Sequence, residues 1–124
     1  MTLAADIATA LLAALHVYIL VLEMFLWTTP RGRKAFGLAP DFAEQTRVLA
    51  ANQGLYNGFL AAGLLWGLWL GWPAGQGVKM FFAGCVLVAG VYGAVTASRR
   101  ILFVQAVPGA ITLVLVLLAG ATRG

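Results

Sequence analysis

Apolar residues run almost unbroken in four stretches, roughly Leu3–Trp27, Arg47–Trp69, Val78–Ala97 and Ile101–Ala121. Each approaches the length of about 20 residues that a helix needs to cross the hydrocarbon of a bilayer. Pro30-Arg-Gly-Arg-Lys34, Gly71-Trp-Pro-Ala-Gly75 and Ser98-Arg-Arg100 punctuate them. The pattern predicts an all-α, integral membrane four-helix bundle in a single transmembrane domain over residues 1–124, with helices at about 3–27, 42–70, 78–98 and 101–121. The second helix is expected to start ahead of its apolar stretch, because Asp41-Phe-Ala-Glu44 has the form of a capping box with Asp41 at the N-cap.

Composition agrees: 62% of the residues are hydrophobic, 10% are charged, and the mean hydropathy is +0.94. A soluble domain carries about 25% charged residues. The first stretch has no basic residue before it and runs past a usual signal-peptide core, so it reads as a retained helix. The one cysteine, Cys85, excludes an internal disulfide.

Arg31, Arg33, Lys34, Arg47, Arg99 and Arg100 lie on the first and third connections, against Lys79 and Arg123 on the other side. Positive loops stay in the cytoplasm. This predicts a multi-pass protein of the plasma or inner membrane, with loops 28–46 and 98–101 cytoplasmic and both termini outside. It also accounts for the net charge of +4 as a topology signal, without nucleic acid as a partner. Trp66, Trp69 and Trp72 read as interfacial belt residues.

Within the first stretch Glu23 is the one acid between Ile7 and Trp27. An ionisable group at mid-bilayer costs roughly 2.5 kcal/mol or more, so it marks a functional site by default. A helix turns about 100° per residue, which brings His16 and Glu23 onto one face. In the second helix Asn52 and Tyr56 share a face, while Gln53 and Asn57 form a parallel pair about 100° round. Tyr92 and Thr96 align in the third helix, and Gln105, Gly109 and Thr112 in the fourth. Counted from the basic loops, Glu23, Asn52, Tyr56, Tyr92, Thr96 and Gln105 all fall roughly 5 to 15 Å below the boundary. That common depth predicts one polar pocket, with Glu23 and His16 as proton-transfer groups and Asn52, Tyr56, Asn57, Tyr92, Thr96 and Gln105 binding a ligand.

Burial disfavours the charged form of either Glu23 or His16, so the two could be neutral together or exchange a proton through water. The amides have a plainer reading as interhelical hydrogen bonds, and Glu23 as an ion-pair partner of Arg31 or Arg99. Gly54-xxx-Gly58, Gly63-xxx-Gly67 and Gly67-xxx-Gly71 are expected to pack helices closely. Pro108 removes a helical hydrogen bond and should free the Val104 carbonyl beside Gln105. Neither a phosphate-cradling loop nor paired cysteines are present, and one His with one intramembrane Glu is too small a set for a structural metal site, so no cofactor or metal is expected.

His16…Glu23, Asn52-x-Gly-x-Tyr-Asn57, Tyr92-Gly93 and Gln105-x-x-Pro108 together resemble the pattern of the small membrane-protein family catalogued as domain of unknown function 1304. The resemblance covers most of the chain and implies a four-helix integral membrane protein, but no substrate. Three functions are compatible with these residues. One is a proton-coupled carrier for a small lipophilic, polar or cationic ligand. Another is a cofactor-free acid–base enzyme of the lipid phase, an isomerase or cyclase. The third is an assembly subunit. The partners expected are the lipid bilayer, the ligand and, because a carrier this short needs a second half for alternating access, another copy in a homo-oligomer.

Overall fold

The computed structural model describes residues 1–123, and every regular element among them is helical. In chain order they are α1 (Thr2–Met24), α2 (Pro30–Phe36), α3 (Pro40–Gln45), α4 (Arg47–Leu70), α5 (Gln76–Thr96) and α6 (Arg99–Ile101). A π-helical stretch, Leu102–Ala106, then leads into α7 (Val107–Arg123).

Three stretches are long and apolar enough to cross a membrane: Thr2–Met24, Gln76–Thr96 and Arg99–Thr122. The expectation of four is met by three. Helix α4 has the length, at 24 residues, but Asn52, Gln53 and Asn57 and its glycines dilute its apolar content. The first connection is also more ordered than a loop, since α2 and α3 lie within it.

The chain packs as two compact units, one of Ala14–Ala61 and one of Met1–Ala13 with Ala62–Gly124. In the Ala14–Ala61 unit α1 ends at Met24, where the Phe25 and Leu26 amides both donate to the Val21 carbonyl, and Thr29 before Pro30 is extended, with ψ 161°. Thr29 then caps α2, its Oγ1 accepting from the Gly32 amide at 3.3 Å and donating to the Leu26 carbonyl at 2.6 Å. Gly32 lies against that same carbonyl, so closely that no Cβ could be accommodated. Gly37 closes α2 in the left-handed conformation, φ 66°.

Helix α3 corrects the expected cap. Ala39 is the N-cap and Pro40 the first helical residue, so Asp41 lies inside the first turn. Glu44 pairs with Arg47 at 3.5 Å instead of closing a capping box. Thr46, at φ −104° and ψ 7°, separates α3 from α4. Its hydroxyl accepts a 3.0 Å bond from the Trp27 indole, and Trp27 packs against Phe36 with ring centres 4.8 Å apart and planes inclined at 48°.

In the other unit Ala5, Val116 and Ala119 are fully buried, with Trp72, Met80 and Leu115 packed around them. Glycines let α5 and α7 approach: Gly90 lies against the Ala106 backbone and Gly109 against Leu87. The expected disturbance at Pro108 takes the form of the π-helical stretch before it, in which Val107 N–H reaches back five residues to the Leu102 carbonyl. The Pro108 carbonyl is itself used, accepting from the buried Thr112 hydroxyl at 2.9 Å.

Candidate functional site

The polar residues of the Ala14–Ala61 unit divide sharply by burial. Glu23 is 7% exposed although it carries a carboxyl group, and His16, seven residues earlier on the same face of α1, is 0% exposed. Thr9 and Leu12 lie on that same buried face of α1.

Glycines on α4 bring the carboxyl group to its partner. A Cβ at Gly54 would lie 3.1 Å from Glu23 Cβ and 3.2 Å from the Leu20 carbonyl, and one at Gly58 would lie 2.7 Å from Leu20 Cδ1. This approach of backbones is what small residues in membrane helices permit. It allows Asn57 Nδ2 to donate to Glu23 Oε1 at 2.6 Å. The same nitrogen also donates to the Gln53 carbonyl one turn back on α4, at 3.3 Å, which fixes the amide orientation. The second carboxyl oxygen, Oε2, accepts from no group among the described residues, and since none of their buried side-chain oxygens is left without a partner, Oε2 reaches the surface.

Of the residues expected at the site, Glu23 and Asn57 are brought together. Asn52 and Tyr56 are not: both are exposed, Tyr56 by 58%, and the Tyr56 ring packs edge-on against Phe59. They lie on the wrong side of α4, whose buried face runs through Ala50, Gly54 and Ala61. In the other unit Tyr92 is 70% exposed, and Thr96 is exposed with its hydroxyl donating to the Tyr92 carbonyl at 2.7 Å, within its own helix. Gln105 is half-buried in the π-helical stretch and has an interaction partner. His16 also has a partner, and its Cα lies about 10 Å along the helix axis from that of Glu23, seven residues at 1.5 Å each.

One polar cluster has no counterpart in the reading of the sequence. Lys79 is 0% exposed, its Nζ 2.8 Å from Asp6 Oδ1 and 4.0 Å from the centre of the Trp72 ring. The Trp72 indole donates to the same Asp6 oxygen at 3.0 Å. Lys79 is thus a buried ion-pair partner and not a free loop cation, and Trp72 a member of the cluster as well as an aromatic at a helix end. The signal available was Asp6 near the start of one apolar helix and Lys79 near the start of another, two opposite charges with no other reason to sit there.

The profile of a family described as "Protein of unknown function (DUF1304)" matches residues 10–117, which include Glu23, Asn57 and all the other expected site residues. The chain belongs to the DUF1304 family. This DUF1304 protein is also similar to "Uncharacterized protein YpaA" of Lactococcus lactis subsp. lactis (strain IL1403), with 29% identity over 107 residues, 85% of this chain and 89% of that one. No solved structure matches it. The resemblance carried by Asn52-x-Gly-x-Tyr-Asn57 and its companion motifs is therefore a family relationship, and the chemistry has to come from the site.

Proposed function

We propose that this DUF1304 protein is a four-helix integral membrane protein in which Glu23 and Asn57 bind a small polar or cationic ligand, with Glu23 exchanging a proton as the ligand enters and leaves. The observation that carries the reading is the buried carboxyl group of Glu23, held through one oxygen by Asn57 while the other oxygen has no protein partner. A helix-joining hydrogen bond would need only an amide at position 23. A carboxyl group adds the capacity to carry a proton, at the cost of placing an ionisable group in an apolar helix. The oxygen left over is the acceptor for an ammonium or other N–H or O–H donor.

Helix α4 crosses the membrane in this reading, its amides facing other helices or a second copy of the chain. The basic residues of 28–47 and 98–100 lie on the cytoplasmic side, and both termini lie outside. Pairing of Lys79 with Asp6 supports that orientation, because it removes one of the two cations counted on the opposite side. A homodimer supplies the second half that alternating access requires.

The test uses the full chain in proteoliposomes loaded with the pH indicator pyranine and challenged with gradients of ethidium, tetraphenylphosphonium or phenethylamine. At least one probe is expected to drive proton movement in the wild type. The response is expected to vanish in Glu23→Gln, with unchanged far-UV circular dichroism, and to weaken in Asn57→Ala. Equal responses from wild type and Glu23→Gln would remove the carrier reading. Unfolding of Glu23→Gln in detergent would assign Glu23 to structure.

A further inference from the structure

The first connection holds a second feature, independent of Glu23. Its positive charge is concentrated on α2, where Arg31 and Lys34 are exposed and Arg33 is half-buried. None of the three side chains has an ion-pair or hydrogen-bond partner among the described residues. Arg47 is different, because Glu44 lies 3.5 Å from it. Asp41 is the remaining acid of the segment, so the connection keeps a positive excess that the protein does not neutralise.

A topology signal needs charge but no particular structure. These cations are instead held in place. Thr29 and Gly37 cap the two ends of α2, Gly32 seats it on the Leu26 carbonyl just past the end of α1, and Phe36 packs against Trp27. The three basic residues therefore stand on an ordered helix about seven to ten residues after the end of the apolar stretch Thr2–Met24. Flanking them in sequence, Phe25, Phe36 and Phe42 are exposed. Cations flanked by aromatic residues after the end of a membrane helix suit the boundary between headgroups and acyl chains, where rings bury in the apolar layer and cations meet phosphates.

We propose that the α2–α3 segment is a docking surface for anionic phospholipid headgroups, with Arg31, Arg33 and Lys34 meeting the phosphates and Phe25, Phe36 and Phe42 entering the acyl boundary. The reading depends on charge complementarity: an unneutralised basic face beside a membrane helix meets the negative potential of an anionic leaflet, worth about fivefold in affinity per cation, or roughly 1 kcal/mol. Three cations together give about a hundredfold preference at low salt, decreasing as salt screens exposed charge.

The experiment uses the full chain in dodecylmaltoside. Phosphatidylglycerol and phosphatidylcholine with identical acyl chains are titrated in, and retained lipids are counted by native mass spectrometry. Wild type is expected to retain phosphatidylglycerol in preference, and Arg31→Gln/Arg33→Gln/Lys34→Gln to lose about a hundredfold of that preference with unchanged helicity. Arg31→Gln and Lys34→Gln singly, each at an exposed position, are expected to lose about fivefold and keep the test readable if the triple variant misfolds. A preference that survives the triple variant overturns the proposal. So does an equal loss in Arg99→Gln/Arg100→Gln, which lowers net charge elsewhere. Competition by inorganic phosphate at the same concentration as phosphatidylglycerol also overturns it, because the surface would then bind a soluble anion.

Discussion

Replacing Asp6 by Asn should destabilise the protein more than replacing Lys79 by Met, although both break the same ion pair. The asymmetry follows from burial: Lys79 is 0% exposed, whereas 36% of the Asp6 side chain is exposed. Asp6→Asn keeps the shape and an acceptor oxygen for the Trp72 indole, but leaves a buried ammonium facing a neutral amide and an aromatic ring. Removing one partner of a buried pair costs about 3–5 kcal/mol, and the surviving oxygen and the Trp72 ring place this case near the lower end, about 3 kcal/mol. Lys79→Met leaves a carboxylate that water can reach and that still accepts from Trp72, while the methionine keeps the methylenes packed on Gly67. Its cost is about 1–2 kcal/mol. The double variant should match Lys79→Met within about 0.5 kcal/mol, giving a coupling of roughly 2.5–3.5 kcal/mol between contacting residues. The four proteins would be compared by equilibrium unfolding in mixed micelles, followed by far-UV circular dichroism. If Asp6→Asn proves no more harmful than Lys79→Met, Lys79 is not held as a buried charge, and the argument from the Asp6–Trp72–Lys79 cluster fails.

Two further expectations concern packing in each unit. Gly90→Val should cost about 2–3 kcal/mol, because its side chain would overlap the Ala106 backbone, whereas Gly84→Val should leave the monomer's stability unchanged, since a Cβ there meets nothing within 4 Å; thermal melts in detergent would separate the two. Trp27→Phe keeps the ring beside Phe36 but loses the 3.0 Å bond to Thr46, and should cost about 1 kcal/mol by the same measurement.

The all-helical character and the membrane were legible because they depend on composition and length alone. Helix ends were less so, and for local reasons. Trp27 looks like the end of the first span by hydropathy, yet the helix stops at Met24, where the Leu26 amide reaches back five residues to the Val21 carbonyl and the chain turns towards α2. Asp41 and Glu44 have the spacing of a capping box, but Pro40 already fixes the backbone of a first helical turn, which moves the N-cap two residues back, from the expected Asp41 to Ala39. Lys79 was misread for a different reason. A cation at the edge of an apolar stretch has the same appearance in sequence whether it faces water or an acid 73 residues away.

Rotation of the helices decided the candidate site, and here the sequence held more information than hydropathy used. Asn52 with Tyr56, and Gln53 with Asn57, are equivalent pairs at helical spacing about 100° apart, so the polar residues alone do not choose between them. The small residues do. Ala50, Gly54, Gly58 and Ala61 follow one another at intervals of four, four and three, which defines a single face of α4 on which other backbones can approach. Asn57 lies on that face, three residues after Gly54 and adjacent in sequence to Gly58, whereas Asn52 lies about 160° from Ala50 around the helix. The glycines and the amide are therefore one device: the absence of side chains at Gly54 and Gly58 brings α1 near enough for Asn57 to reach Glu23 at 2.6 Å. In a membrane helix, a polar residue on the small-residue face is the one to pair with a buried acid, because an amide on any other face is kept away from it by the bulk of its own helix.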